Sequence, residues 1–106
     1  MSETGSWVDA AAVDDLPADD VKGFQLQGLE VALYRVGDEV FATSDICTHA
    51  QARLCEGFLE GHEIECPLHQ GRFDIRNGKA LCAPLTDDLR TYPVKIEGGR
   101  VFVALD

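Results

Sequence analysis

The sequence predicts an all-β fold, an antiparallel barrel or sandwich in a single domain over residues 1–106. Most stretches alternate apolar and polar side chains with a period of two, which is typical of half-buried strands. These stretches end at Gly, Asp or Pro, which favour turns. Only residues 10–16 could form a short helical turn, and Pro17 would end it. A chain of 106 residues can bury one hydrophobic core but is too short for two.

The first predicted strands lie in the N-terminal half of the chain. Residues 21–27 form one of them, and residues 29–36 and 39–43 form a hairpin. Gly37-Asp38 between the last two is a plausible two-residue turn, because Gly at its first position tolerates a positive φ.

A second hairpin is predicted at the C-terminal end of the chain. Its strands are residues 92–97 and 100–105, and Gly98-Gly99 forms the turn. Pro93 lacks a backbone N–H, so it indicates an edge strand or the start of a strand. Together with the earlier strands, this hairpin would complete the β core.

The chemically reactive side chains are concentrated between the two hairpins. All four Cys and all three His fall within residues 45–85, a stretch of about 40 residues. Short strands at residues 62–65 and 72–75 would give this stretch structure of its own. We therefore expect an insertion between core strands that carries the function.

Two Cys/His pairs within the insertion predict a metal site. Cys47-Thr48-His49 is followed, after 16 residues, by Cys66-Pro67-Leu68-His69. Two thiolates and two imidazoles could also hold zinc, but zinc sites more often use a Cys-Cys pair followed by a His-His pair. Two mixed pairs on two loops favour an iron–sulfur centre, with Cys47, His49, Cys66 and His69 as the candidate ligands.

This pattern resembles the motif of the Rieske family, Cys-x-His followed by Cys-x-x-His. The resemblance implies one Rieske-type 2Fe-2S cluster, with one iron held by Cys47 and Cys66 and the other by His49 and His69. It also implies the Rieske fold, an antiparallel β base domain with a small inserted cluster-binding subdomain at about residues 45–85.

Nearly the whole chain resembles the Rieske-type ferredoxins of bacterial aromatic ring-hydroxylating dioxygenases, particularly those of the naphthalene dioxygenase type. Besides the ligand motif, residues 57–61, 65–74, 78–84 and 89–94 carry the likeness. The family implies a carrier of single electrons, not itself an enzyme, between a flavin-containing ferredoxin reductase and a terminal oxygenase. Within this family Pro84 would belong to a loop that covers the cluster.

The neighbours of the ligands indicate a low reduction potential. Respiratory Rieske proteins have a disulfide between the ligand loops, but Ala52 and Leu68 stand at those positions here. They also have Ser and Tyr hydroxyls that stabilise the reduced cluster, whereas this chain has Gly71 and Phe73. We therefore predict a potential near the bottom of the Rieske range of about −150 to +300 mV.

Two alternatives remain open from the sequence. The chain could be a Rieske small subunit bound permanently to another oxidoreductase, as in relatives of nitrite reductase small subunits. It could also be a zinc-binding interaction module without iron. Metal and sulfide content would separate the zinc module from the carrier, and stable copurification with a large subunit would favour the first alternative.

Several residues near the predicted ligands have both a structural and a functional interpretation. Cys55 and Cys82 are expected as small buried side chains, with a disulfide between them as the alternative. His62 is expected at the surface. The charged neighbours could tune the cluster, form a docking patch or simply face solvent; they are Arg53, Glu56, Glu60, Glu63, Glu65 and Arg72.

The net charge of −10 limits the possible partners. Such a chain would be repelled by nucleic acid and by anionic membranes, and it suits proteins with basic docking faces. The sequence shows neither a membrane-spanning apolar run nor an export signal. We therefore expect the protein in the cytoplasm. We also expect it to be a monomer.

Overall fold

The computed structural model describes residues 7–48, 52–68, 71–82 and 87–105, and within them the all-β prediction is confirmed. Helical structure there is limited to two 3-10 turns, Val13–Asp15 and Leu54–Glu56, and no helix in these ranges is long and apolar enough to cross a membrane. The strands are β1 (Trp7–Ala12), β2 (Asp20–Leu26), β3 (Leu29–Val36), β4 (Glu39–Ser44), β5 (Phe58–Glu60), β6 (Glu63–Glu65), β7 (Arg72–Asp74), β8 (Thr91–Tyr92), β9 (Val94–Glu97) and β10 (Arg100–Ala104).

The base of the molecule consists of two antiparallel sheets, ordered β2-β3-β4-β8 and β1-β10-β9. Strand β3 is central, and its residues 31–34 are fully buried although they alternate between its two faces. Val31 and Leu33 pack into the core of the base, whereas Ala32 and Tyr34 pack into a second core that includes the cysteine loops. This one strand therefore supports both halves of the molecule.

The first predicted hairpin is confirmed, and the second is confirmed for residues 94–97 and 100–104. Strands β3 and β4 pair from Val31↔Ser44 to Val36↔Glu39, and β9 and β10 pair up to Glu97↔Arg100. Gly37 has a φ of +58°, a conformation in which other residues would be strained. The strand predicted at residues 21–27 is β2.

Two local predictions were wrong because of long-range pairing. Residues 10–12 belong to β1, which pairs with β10 at the other end of the chain, and only Val13–Asp15 turn as a 3-10 segment. Residues 92–97 are not one strand. Tyr92 pairs with Ala42 of β4, whereas Val94 pairs with Val103, since Pro93 interrupts the strand between two sheets.

A third sheet, β5-β6-β7, lies in the chain between β4 and β8. One of its faces packs Leu59, Ile64 and Phe73 into the second core. The short strands predicted at residues 62–65 and 72–75 correspond to β6 and β7, whereas β5 was not predicted. The segment leaves and rejoins the base side by side, because Thr43 pairs with Thr91 and Ser44 N–H donates to Arg90 O at 2.9 Å.

Candidate metal centre

The first candidate ligand loop begins directly after β4. Cys47 is 4% exposed, and its N–H donates to Ala52 O at 3.0 Å. The residues on either side of this bond are also paired: Leu54 N–H donates to Asp45 O at 2.7 Å, and Ile46 forms a β-bridge with Arg53. These bonds hold residues 45–47 against residues 52–54, with the Cys47 side chain buried.

The second candidate ligand loop connects β6 to β7. Cys66 is fully buried, and its N–H donates to Gly71 O at 2.8 Å, which closes the loop at its base. The sulfur of Cys66 accepts a hydrogen bond from the backbone N–H of Leu68. Such N–H···S bonds help to set the potential of iron–sulfur clusters.

Gly57 allows the two loops to approach each other. Its N–H donates to Leu54 O at 2.9 Å, at the end of the first loop. A Cβ at this position would lie 2.0 Å from Glu65 O, in the strand immediately before Cys66. Only glycine permits this contact, so it is a steric requirement for bringing Cys47 and Cys66 together.

The two cysteine thiols are adjacent in an otherwise apolar core. Burial raises the pKa of Cys66 to about 11, and a hydrogen bond with the Cys47 thiol contributes to the rise. Each thiol would release its proton on binding a metal, because the thiolate is the ligand. Two buried sulfurs that face each other from separate loops fit the cysteine half of a Rieske cluster.

The histidine half of the predicted site lies outside the described residues. This applies to His49 and His69, and also to Pro84 of the expected covering loop. Within the described ranges, no group of three or more His, Cys, Asp or Glu side chains is placed to bind a metal ion. The four-ligand assignment therefore stays a prediction.

A third segment returns to the first ligand loop after β7. Gly78 has a φ of +77° and sits so close to Leu89 that a Cβ would lie 2.2 Å from Leu89 O. Further along, Thr48 Oγ1 donates to Asp87 O at 2.9 Å. Thr48 occupies the variable position of the Cys-x-His motif, so sequence reasoning gave it no role, although it links the two segments.

Both arginines near the ligand loops are held by carboxylates. Arg72, which begins β7, contacts Glu60, Glu63 and Glu65 at 3.0–3.4 Å. These hydrogen bonds raise the pKa of the exposed Arg72 guanidinium. Three of the four glutamates of the acidic patch suggested by the sequence thus surround one cation, and Glu56 is not among the contacts of Arg72.

Arg53 lies at the end of the first ligand loop, as Arg72 lies at the end of the second. Its Nη1 contacts Glu30 and lies 3.8 Å from Asp45 Oδ2. Asp45 is almost completely buried and was not identified from the sequence. The sequence feature that could have pointed to Asp45 is its position two residues before the first candidate ligand, Cys47.

The remaining candidates separate into different environments. Cys55 and Cys82 are both free thiols, but only Cys55 is partly buried, so the expectation of a buried Cys82 was wrong. Cys82 follows the bridge between Phe73 and Ala80, where the chain has left the core. His62 is one third exposed, with Nε2 3.9 Å from Glu39 Oε1 and its ring edge-on to Phe41.

Exposed apolar side chains flank the ligand loops. Ile46 precedes Cys47, Leu68 lies within the second loop, and Leu81 precedes Cys82; all three are between 38% and 49% exposed. Apolar groups in water favour burial against another surface. Leu81 N–H donates to Arg72 O, directly after the second loop. All three residues therefore lie in or beside a ligand loop, and we call Ile46, Leu68 and Leu81 the apolar rim.

Comparison with known proteins agrees with this geometry. The family model described as Rieske [2Fe-2S] domain matches residues 6–93. The chain is 58% identical over 103 residues to the ferredoxin component of the naphthalene 1,2-dioxygenase/salicylate 5-hydroxylase systems of Ralstonia sp., covering 97% of this chain and 99% of that protein.

Solved structures give the same result. The ferredoxin of carbazole 1,9a-dioxygenase from Nocardioides aromaticivorans matches with a TM-score of 0.92 and 39% identity, over 95% of this chain and 99% of that one. A chain in a complex of reduced oxygenase and oxidized ferredoxin of carbazole 1,9a-dioxygenase matches with a TM-score of 0.87 and 38% identity, over 92% of each chain. The protein therefore belongs to the Rieske [2Fe-2S] family, and it is a ferredoxin-type electron carrier with one such cluster rather than a catalytic enzyme.

Proposed function

We propose that this chain carries single electrons from a flavin-containing ferredoxin reductase to the terminal oxygenase of a multicomponent aromatic ring-hydroxylating dioxygenase. The observation that carries this proposal is the pair of buried, adjacent thiols of Cys47 and Cys66, in a chain that matches a dioxygenase ferredoxin component over 97% of its length. When bound, a Rieske cluster takes up and returns one electron. The two loops hold its sulfur ligands away from water.

The apolar rim and the acidic side chains support docking to a partner. A transient complex benefits from a small apolar contact, while charges around it guide the encounter. Ile46, Leu68 and Leu81 provide the apolar contact beside the ligand loops. The matched complex of oxygenase and ferredoxin supports the terminal oxygenase as one partner, and we propose the reductase as the other.

We propose Cys47, His49, Cys66 and His69 as the cluster ligands. Replacement of His49 or His69 by Ala should abolish the Rieske absorption and electron paramagnetic resonance spectra, because each imidazole occupies a coordination position that Ala cannot fill. His62→Ala is the matched control, since His62 contacts Glu39 and Phe41 instead. Normal spectra in either ligand variant would refute the assignment.

The cysteines allow the same comparison. Cys47→Ser and Cys66→Ser should lose iron and sulfide, whereas Cys82→Ser should retain both because Cys82 is an exposed free thiol. The purified wild-type protein should contain two iron and two sulfide per chain, as a 2Fe-2S cluster requires. One zinc per chain in a colourless protein would support the interaction module instead.

Reconstituted electron flow tests the proposed function directly. With NAD(P)H, O₂ and an aromatic substrate supplied, purified reductase, this protein and terminal oxygenase should together form a dihydroxylated product that contains both oxygen atoms of O₂, together with NAD(P)⁺. Omission of this protein, or its replacement by His69→Ala, should stop turnover. Full turnover without it would contradict the proposal. Copurification in a stable complex with one large subunit would favour a fixed subunit over a mobile ferredoxin.

We propose further that residues 1–106 act as one domain and as a monomer in the cytoplasm, with about residues 45–85 as the cluster-binding subdomain. The radius of gyration, 13.1 Å, is about that of one compact domain of this length. Free thiols at Cys55 and Cys82 suit a reducing compartment. Sedimentation equilibrium at several protein concentrations would test the monomer.

A further inference from the structure

A buried carboxylate, Asp45, lies at the base of the first ligand loop. Asp45 is 1% exposed, and Thr43 is the other buried polar side chain in the described part of the chain. Asp45 follows β4 directly and precedes Cys47 by two residues. Burial of a carboxylate is costly unless hydrogen bonds and an opposite charge compensate it. The position of Asp45 therefore calls for a structural or electrostatic reason.

The side chain of Asp45 joins the two ends of the ligand loop. Its Oδ1 accepts the backbone N–H of Cys55 at 2.8 Å, and its Oδ2 accepts the Cys55 thiol at 3.2 Å. The backbone adds two bonds, from Leu54 N–H to Asp45 O at 2.7 Å and from Asp45 N–H to Glu30 O at 2.9 Å. These contacts fasten the loop to itself and to β3.

The neighbouring strand is shaped to accept this arrangement. A Cβ on Gly23 of β2 would lie 2.8 Å from Cys55 Sγ and 2.9 Å from Asp45 Oδ2. The nearby Tyr34 hydroxyl forms its hydrogen bond with Thr43 Oγ1, at 2.8 Å, rather than with Asp45. Each group that does point at the Asp45 oxygens is a donor, which suits an ionised carboxylate.

The charges around Asp45 do not cancel. Arg53 is shared between Asp45 and Glu30, so the three side chains together carry one negative charge. The Arg53 side chain is 50% exposed, on the wall of an open groove of about 310 Å³. Water and salt screen this cation far more than they screen the buried Asp45. A net negative charge is thus fixed at the base of the first ligand loop, two residues before Cys47.

We propose that Asp45 is a positioning residue for the Cys47 loop and that its fixed charge lowers the reduction potential of the cluster. The inference rests on the proposed ligand set. Reduction adds an electron to the cluster, and a negative charge held in a medium of low dielectric constant opposes that addition. The hydrogen bonds to Cys55 also hold the Asp45 carboxylate in place. The same side chain therefore positions the loop and lowers the reduction potential.

Asp45→Asn tests the effect of the charge. Asn keeps an oxygen acceptor for Cys55 N–H and nearly the same shape, but it is neutral. We expect the cluster to assemble and the oxidised-to-reduced equilibrium to shift about tenfold toward the reduced form, which is 59 mV for a one-electron couple. Arg53→Gln should lower the potential, by less, because solvent screens the guanidinium.

Glu56→Gln is the matched control. Glu56 is an exposed carboxylate in the same 3-10 turn as Cys55, so its removal should leave the potential nearly unchanged. The charge effect is overturned if Asp45→Asn moves the potential no more than Glu56→Gln does. Should Asp45→Asn fail to fold, Arg53→Gln decides, and an unchanged or raised potential would overturn the proposal.

The positioning role is tested by the retention of the cluster. Asp45→Ala removes both acceptor oxygens, so it should lose iron and visible absorbance much faster than wild type on warming, whereas Asp45→Asn should largely restore retention. Equal retention by Asp45→Ala and wild type would overturn this role. A wild-type protein with no iron or sulfide would instead refute the proposed ligand set, so the two failures are distinguishable.

Discussion

The four cysteines occupy three different environments. Cys47 and Cys66 face each other in the core, Cys55 bonds to a buried carboxylate, and Cys82 is exposed. The spacing of the ligand motif separates the first two from the others, but nothing in the sequence distinguishes Cys55 from Cys82. That difference arises from tertiary contacts, and it is measurable.

Alkylation should label Cys82 well before Cys55. Burial and the hydrogen bond to Asp45 raise the pKa of Cys55 from 9.0 to about 11, which leaves about a hundredfold less reactive thiolate at pH 8. Mass spectrometry of iodoacetamide-treated holoprotein would measure both rates, with Cys82→Ser as the control. Labelling of Cys55 as fast as Cys82 would contradict this expectation.

The raised pKa of Cys55 also has a consequence for stability. The fold favours the protonated thiol, so its contribution is complete below about pH 9 and is lost as the pH rises toward 11. Wild type should therefore lose stability more steeply between these pH values than Cys55→Ser, whose hydroxyl does not titrate there. Parallel urea midpoints across this range would show that Cys55 has no such effect.

The reduction potential should lie below zero, in the lower part of the Rieske range of about −150 to +300 mV. Phe73 is fully buried in the core that contains Cys66, and it offers no hydroxyl to a cluster or ligand sulfur. Phe73→Tyr should raise the potential if its hydroxyl reaches a sulfur, while Phe73→Leu serves as a control without a donor. A wild-type value well above zero, measured by redox titration, would be inconsistent with this expectation.

Among the secondary-structure elements, the contact between Gly57 and β6 matters most for the site. Gly57→Ala should cost about 3 kcal/mol, near the upper end of overpacking penalties, because the new methyl group meets the backbone at Glu65. Gly61→Ala is the control. Gly61 has a φ of +60° but open space around it, so the cost there should be about 1 kcal/mol.

Thermal loss of visible absorbance would measure both glycine variants. Gly57→Ala should release the cluster at a much lower temperature, since the two loops can no longer approach closely. Equal release temperatures for the two variants would mean that the contact between Gly57 and β6 does not hold the loops together.

The sequence predicted elements whose signals are local. The hairpin turns at residues 37–38 and 98–99 were correct because Gly lies directly between two alternating stretches. Residues 10–16 were misread because the bonds that make β1 a strand come from β10, about 90 residues away. Asp45 was missed for a similar reason, since its partner Cys55 is a neighbour only after the loop has closed.

At the scale of the whole molecule, the net charge of −10 governs encounters with partners. Several of the few cations are already paired internally, including Arg53, Arg72, Arg76 and Arg100. With 19 acidic residues against 9 Lys and Arg, the protein therefore presents an excess of negative charge to an approaching partner. Basic faces on the reductase and oxygenase would complement it.

Electron transfer to the oxygenase should slow as salt is added. We expect the second-order rate constant to fall about tenfold between low and high ionic strength, because salt screens the attraction that accelerates encounters. Stopped-flow oxidation of the reduced protein would measure this, with the cluster spectrum checked at each salt concentration. A constant rate would assign the acidity to solubility instead.

The paired strands at the exit from the base have a consequence for cluster assembly. Thr43 and Thr91 hold the two ends of the inserted segment side by side through bonds that belong to the base sheet and need no metal. The entropy of closing that long loop is therefore paid when the base folds. Both cysteine loops then stay at a high effective concentration for each other, so an incoming cluster meets a tethered set of ligands rather than an open chain.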